Sequence, residues 1–161
     1  MKDFYIRSLK ENDLEWIRRI IEEIWRSSRI ISRGKSYNIK DLPGLVILKK
    51  KEIVGLLTYN LKNNECEIIT LNSFKKRIEI GTILLKEIEK IASSKKCDRL
   101  WVITTNDNID ALCFYQKKGF KICNIYVDAI KESRKLKPEI PFIGFNNIEI
   151  RDEIELEKKL N

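Results

Sequence analysis

The sequence predicts a mixed α/β sheet with helices on both faces, and three observations carry that expectation. Short β-rich runs between residues 45 and 71 are separated by charged or polar turns, which reads as an antiparallel meander. Two amphipathic stretches, 80–92 and 110–118, then alternate with β-rich runs, so the order changes from meander to strand, helix, strand. A length of 161 residues, with no repeat, low-complexity tract or Pro/Gly/Ser linker, suits one domain over 1–161 that buries about two thirds of its unfolded surface.

Taken in order, Phe4 to Leu9 alternates apolar and polar residues as a strand does. Asn12 or Asp13 then caps a helix carrying Leu14, Ile17, Ile20, Ile21, Ile24 and Trp25 at helical spacing. The stretch 27–43, SSRIISRGKSYNIKDLP, has no sustained period and reads as an irregular, mobile connection. Leu45 to Leu48, Ile53 to Leu61 and Cys66 to Leu71 form the meander, with turns at 49–52 and 62–64. In 80–92, IGTILLKEIEKIA, residues Ile80, Leu84, Leu85, Ile88 and Ile91 share one helical face, and Leu100 to Ile103 follows as a strand buried on both sides. The helix Asp110 to Lys118 is closed by Gly119 and followed by a strand over Phe120 to Val127. The tail reads as a short helix at Ala129 to Leu136, a proline-punctuated loop, and a strand around Ile150 to Leu156.

Composition narrows the function. The net charge of +8 invites a polyanion, but the basic residues are spread beside many glutamates and no helix-turn-helix, zinc or RNP pattern accompanies them. A nucleic-acid partner is therefore not expected. Cys66, Cys97, Cys113 and Cys123 sit singly in apolar stretches, with no CxxC pair and no histidine, so they read as reduced, buried thiols and no metal is expected. The opening MKDFYIRSLKENDLEW lacks the apolar core of a signal peptide, and no later run approaches the ~20 apolar residues of a membrane span, which points to a cytoplasmic protein with no membrane partner.

The most informative segment is 73–90, SFKKRIEIGTILLKEIEK, where a strand ends, a basic loop follows and a helix opens at a glycine. Unpaired N–H groups and the positive end of a helix dipole suit an anion, Gly81 permits close approach, and Lys75, Lys76 and Arg77 add charge. A second segment, NDNIDALCFYQKKGF at 106–120, stands after its own strand in the same way. Together, Lys76 to Gly81 and Asn108 to Phe120 resemble the GCN5-related N-acetyltransferase (GNAT) superfamily. Its first motif is Arg/Gln-x-x-Gly-x-Gly/Ala, and its second is Asn-x-x-Ala-x-x-x-Tyr-x-x-x-Gly-Phe, matched here at Asn108, Ala111, Tyr115, Gly119 and Phe120. The first motif departs at Lys76, where Arg or Gln is usual, and at Glu79, where the family has its first glycine.

The resemblance implies a largely antiparallel sheet with a central parallel pair, and acetyl-CoA as the acetyl donor. It implies backbone contacts to the pyrophosphate near Arg77, Ile78, Ile80, Gly81 and Thr82, with charge from Lys76. It also implies a splay of the preceding strand near Leu71, with Asn72 as a turn residue, a cofactor contact from Asn108, and Tyr115 as cofactor neighbour and acid for the departing thiolate. Read without the resemblance, Glu79 is an acid in a first helical turn, Asn108 a helix cap and Tyr115 a core aromatic.

With no histidine, a base for the attacking amine must be a carboxylate or a water that one relays. Glu67 is chosen over Glu65, which lies farther from the splay, and its other reading is a solvated strand residue. The acceptor pocket is expected between 26–43 and 128–147, where Arg29 and Arg33 suit an acidic substrate. The expected function is an N-acetyltransferase in which an amine attacks acetyl-CoA directly in a ternary complex. A non-catalytic acyl-CoA-binding sensor or interaction domain of the same fold is the alternative, suggested by Glu79. The partners are acetyl-CoA and an amine-bearing acceptor, with room left for a homodimer.

Overall fold

Asp13 organises the entry to the first helix, because Arg7 forks onto its two carboxylate oxygens at 2.6 and 2.9 Å and the Lys10 N–H donates to it at 2.8 Å. The Arg7 hydrogen bonds hold its carboxyl below the usual range. The computed structural model describes residues 3–25, 29–76 and 79–161. Strand β1 (Phe4–Ser8) passes through that junction, a 3-10 turn at Glu11–Asp13, into α1 (Leu14–Trp25). Ile17 and Ile21 are buried on the sheet, whereas Ile24 is 50% exposed.

Of the segment 27–43 expected to be irregular, residues 27 and 28 lie outside the described residues and the rest is mostly regular. It forms a two-stranded hairpin, β2 (Arg29–Ser32) and β3 (Lys35–Asn38), and then a 3-10 turn at Ile39–Asp41 capped by Asn38. Arg33 (φ +48°) and Gly34 (φ +73°) both take the left-handed conformation, the signature of a type I′ turn whose twist matches its strands. Four-residue strands are too short to show a period, which is why the pattern was silent.

The meander is β4 (Gly44–Lys49), β5 (Glu52–Lys62) and β6 (Glu65–Ser73). Then come α2 (Ile80–Ser94), β7 (Arg99–Thr105), α3 (Ile109–Lys117), β8 (Lys121–Tyr126), α4 (Ala129–Leu136) and β9 (Glu153–Lys159). The main sheet runs β1-β4-β5-β6-β7-β9-β8, antiparallel throughout except for the parallel pair β6 and β7. The last strand thus inserts between β7 and β8. It begins three residues later than the apolar pattern suggested, because the Arg151 and Asp152 N–H groups first donate to Asn106 Oδ1, at 2.9 and 3.0 Å, and hold the chain away from the ladder.

Two apolar clusters flank the sheet. One packs Ile80, Leu84, Leu85, Ile88 and Ala92 of α2 and Tyr115 of α3 on Cys66, Ile68, Leu100 and Val102, and the other packs Ile17 and Ile21 of α1 on Val46 and Leu56. Each fully buried Ile or Leu contributes roughly 1.5–3 kcal/mol. Cys66 and Cys97 are buried as expected, whereas Cys113 and Cys123 are exposed. Cys113 lies on the outer side of α3, and Cys123 sits on the edge strand β8, whose residues from Lys121 to Ile125 all face solvent. Among the described residues no helix is long and apolar enough to cross a membrane.

Candidate active site

The parallel ladder joins Glu65↔Arg99 through Ile68↔Val102 and then stops, while β6 continues along β5 to Ser73 and β7 along β9 to Thr105. Beyond Ile68 the two strands part. The cause is local: Thr58 pairs with Thr70 and Tyr59 with Ile68, which leaves Ile69 as the extra residue of a β-bulge that bends β6. Buried hydroxyls stabilise the bulge, since Thr70 Oγ1 accepts the Thr58 N–H at 3.2 Å and lies 2.7 Å from Thr58 Oγ1. Leu71 and Asn72 therefore stand on a strand segment with no β7 neighbour, and Asn72 Oδ1 is buried without a hydrogen-bond donor among the described residues.

Because β6 and β7 run parallel, the helices that follow them both start at the mouth of this gap, and their positive dipole ends lie side by side. Lys76 is exposed at the entrance, and Arg77 and Ile78, both expected to touch the pyrophosphate, lie outside the described residues. Glu79 is the N-cap of α2, with an exposed side chain that makes no cap hydrogen bond. Ile80 is buried in the core, Thr82 is half-buried, and Gly81 lets α2 approach α3, since a Cβ there would stand 3.3 Å from Phe114 Cζ. Asn108 caps α3 by accepting the Ala111 N–H at 3.1 Å. Tyr115 is 6% exposed and packs edge-on against Phe114 and Phe120, at 5.2 and 5.3 Å. Burial pushes its pKa well above the ordinary value, so the hydroxyl keeps its proton, and no group among the described residues hydrogen-bonds it.

On the opposite face stands Glu67, 4% exposed, since its neighbours Cys66 and Ile68 point into the α2 cluster. It is a buried carboxylate, not a solvated one. Ser32 Oγ donates to it at 2.6 Å and Tyr37 Oη at 3.2 Å, both from the β2–β3 hairpin. Burial raises the Glu67 pKa, against the opposing pull of those two hydroxyls and of Lys35 and Arg33. Tyr37 is in turn pushed up to about 12, by burial first and then by the Glu67 charge. Beside them lies a cavity of about 210 Å³ lined by Ser32, Tyr37, Asn60, Glu65, Glu67 and Trp101, among others.

The tail strand adds a second carboxylate group to this face. Glu153, 2% exposed, accepts the Arg33 N–H at 3.1 Å and Ser133 Oγ at 3.0 Å. Burial alone would raise Glu155, but hydrogen bonds from Arg99, Cys123 and Tyr126 outweigh it and hold that carboxyl low. Arg99 bridges Glu65, Glu155 and Glu157 at 3.1, 3.0 and 2.7 Å. Arg29 donates to the Leu136 carbonyl at 2.8 Å, and Arg33 turns inward, 3.4 Å from Glu155, so both arginines are engaged within the chain. Ser32, Tyr37, Trp101 and Glu153 were not picked out from the sequence. One signal was present: in DEIELEKK the acids alternate with apolar residues, which places Glu153, Glu155 and Glu157 on one face of a strand.

Comparison with known proteins agrees with this fold. Residues 12–120 match the model of the Acetyltransferase (GNAT) family. The chain is 42% identical over 137 residues to the uncharacterized protein YxbD of Bacillus subtilis, covering 84% of this chain and 86% of that one. Its fold is similar to a GNAT family acetyltransferase from Elizabethkingia anophelis with acetyl-CoA bound, with TM-score 0.74, 21% identity and 99% of each chain covered. A Bacillus subtilis acetyltransferase in complex with CoA is similar at TM-score 0.72 and 19% identity, over 98% of this chain and 99% of that one. With a family match across most of its length and the parted parallel strands between two helix N-termini, this chain belongs to the GNAT acetyltransferase family.

Proposed function

We propose that this protein, acting as one domain over 1–161, transfers the acetyl group of acetyl-CoA to an amine by direct attack. The observation that carries the reading is the gap after Ile68↔Val102, with a buried carboxylate on one face and a buried tyrosine on the other. The chain fits the donor: two helix N-termini and Lys76 suit a pyrophosphate, and the unpaired edge of β6 near Leu71 offers N–H groups to amide and thioester oxygens. Similar folds with acetyl-CoA or CoA bound support that fit.

In this reading the Glu67 carboxylate removes a proton from the acceptor ammonium, a task its raised pKa suits. The freed nitrogen forms the C–N bond as the C–S bond breaks, and backbone donors near Leu71 hold the charge that develops on the carbonyl oxygen. The nitrogen, which carries two hydrogens after attack, sheds its second proton to solvent, while Tyr115 delivers its proton to the departing sulfur and recovers one from solvent, leaving a neutral amide and a free thiol. The test is twofold: acetyl-CoA at 100 times its Kd should stabilise the protein by about 2.7 kcal/mol, and free thiol should appear when an amine is added. Absence of any thermal shift at millimolar acetyl-CoA sinks the reading. A shift without thiol release from any amine favours a non-catalytic acyl-CoA sensor.

A further inference from the structure

We propose that the acceptor amine carries a second positive charge, and that the aromatic and carboxylate box of Trp101, Tyr126 and Glu155 binds it. This rests on the transferase reading for its chemistry and on separate observations for its specificity.

A chain of net charge +8 gathers Glu65, Glu67, Glu153, Glu155 and Glu157 on one stretch of β6 and β9. Arg99 answers Glu65, Glu155 and Glu157, and Arg33 also reaches Glu155. Glu67 and Glu153 are 4% and 2% exposed, and among the described residues neither has an ion pair, only hydroxyl and backbone donors. Buried carboxylates are ordinarily matched by a direct ion pair, and this pair has none among the described residues, with Lys35 and Arg33 acting on Glu67 only at longer range. Lys35 and Lys62 also border the cavity, but both are exposed, where water screens their charge.

Arg33 shows what the box accepts. From the hairpin turn its guanidinium lies 5.6 Å from the Trp101 ring centre and 5.0 Å from that of Tyr126, with Glu155 at 3.4 Å. Arg99 lies over the same Trp101 ring at 5.0 Å and pairs with Glu155 at 3.0 Å, so the two rings and the carboxylate already gather two guanidinium groups, the composition of a recognition site for ammonium or guanidinium ions. The resident is loosely held: the Arg33 side chain is 43% exposed, and a half-exposed pair at that distance is weak. Trp101 and Arg33 also line the cavity that contains Glu67, so one linear molecule can present its reacting amine to Glu67 and its second cation to the box. Arg33 is then a placeholder that the acceptor displaces.

The test compares 1,4-diaminobutane, butylamine and 4-aminobutyrate, which share a primary amine and differ at the far end. In acetyl-CoA-dependent thiol release, kcat/KM for the diamine should exceed that for butylamine by about tenfold, with 4-aminobutyrate lowest. Equal values, or a preference for 4-aminobutyrate, overturn the inference and leave the transferase reading standing. Should no amine react, that reading fails while calorimetric titration of the diamine and of butylamine still decides: tighter diamine binding supports the box, and equal or absent binding refutes it. A second variant isolates the placeholder. Arg33→Asn removes the guanidinium yet puts asparagine ahead of Gly34, the pair most favoured in a type I′ turn, so the hairpin persists. Diamine affinity should rise about threefold in this variant, and unchanged or weaker binding counts against the proposal.

Discussion

The two sides of the parted strands are built in opposite ways. On the side proposed for the acetyl donor, each element is contiguous: the end of β6 runs into α2, the end of β7 into α3, and backbone groups at two helix N-termini face the same gap. On the side proposed for the acceptor, contacts join distant parts of the chain, Ser32 to Glu67 and Arg33 to Glu153, which are 35 and 120 residues apart. A backbone-built site should tolerate side-chain changes such as Lys76 and Glu79, because its donors are N–H groups. A side-chain-built site should not. Substitutions on the acceptor face should therefore damage chemistry most, and those in the donor loop least.

The sharpest break of that contrast is at Glu67. Glu67→Gln still accepts from Ser32 and Tyr37, so the fold should persist, while kcat/KM falls by about 10³, within the range for a lost general base. The pH dependence has a definite sign. Burial raises the folded-state pKa of Glu67, so between the ordinary carboxylate value and the raised one the native state binds more protons than the unfolded chain. Stability from this group accordingly falls as pH rises through that window, while activity, which needs the ionised form, climbs. Denaturant titrations at several pH values should show that slope flattened in Glu67→Gln. A variant with wild-type turnover removes Glu67 from the reaction.

Next in size is Tyr115, on the other face. Its hydroxyl serves no hydrogen bond among the described residues, and its ring is held by Phe114 and Phe120, so Tyr115→Phe should keep both fold and acetyl-CoA affinity. An interaction made only as the thiolate leaves should cost ~100-fold in kcat with the cofactor Kd unchanged. Wild-type turnover on an amine, under conditions where chemistry limits the rate, would return Tyr115 to the role of a core aromatic.

The same contrast explains what could be read beforehand. Helices α2 and α3 carry their burial in local spacing, and the caps at Asn108 and Gly119 are single-residue signals, so this half of the molecule was legible. Glu67 stands out in the sequence only by its place in the strand leading to Leu71, nearer the expected splay than Glu65, and its burial is not legible there, since that depends on a hairpin 30 to 35 residues earlier. The hairpin itself was missed because four-residue strands show no period, although Arg33-Gly34 held the turn. Arg33 suits an acidic substrate when read from the sequence, because nothing local reveals that β9 brings Glu153 to its N–H and Glu155 to its guanidinium.

The smallest expected effect is at Glu79, and its smallness is the point. Here a carboxylate stands where the family has a glycine, at the mouth of the site proposed for the pyrophosphate. Were the side chain turned into the loop, its repulsion of a pyrophosphate would be strong and poorly screened. It is instead exposed at the N-cap of α2 and bonds no helix N–H, so water and salt screen it. Two influences then oppose each other in Glu79→Gln. Losing the negative charge should tighten acetyl-CoA binding, by less than about threefold at low salt, and that gain should vanish at high salt. Losing an acid beside the helix N-terminus should slightly lower thermal stability, because the dipole there favours negative charge. Calorimetric titration at two ionic strengths, with a melting curve at each, separates the two. A tightening of tenfold or more that survives high salt would mean the carboxylate lies within the phosphate site. A marked loss of affinity would mean that it takes part in binding, and the backbone-only account of the donor side would then fail.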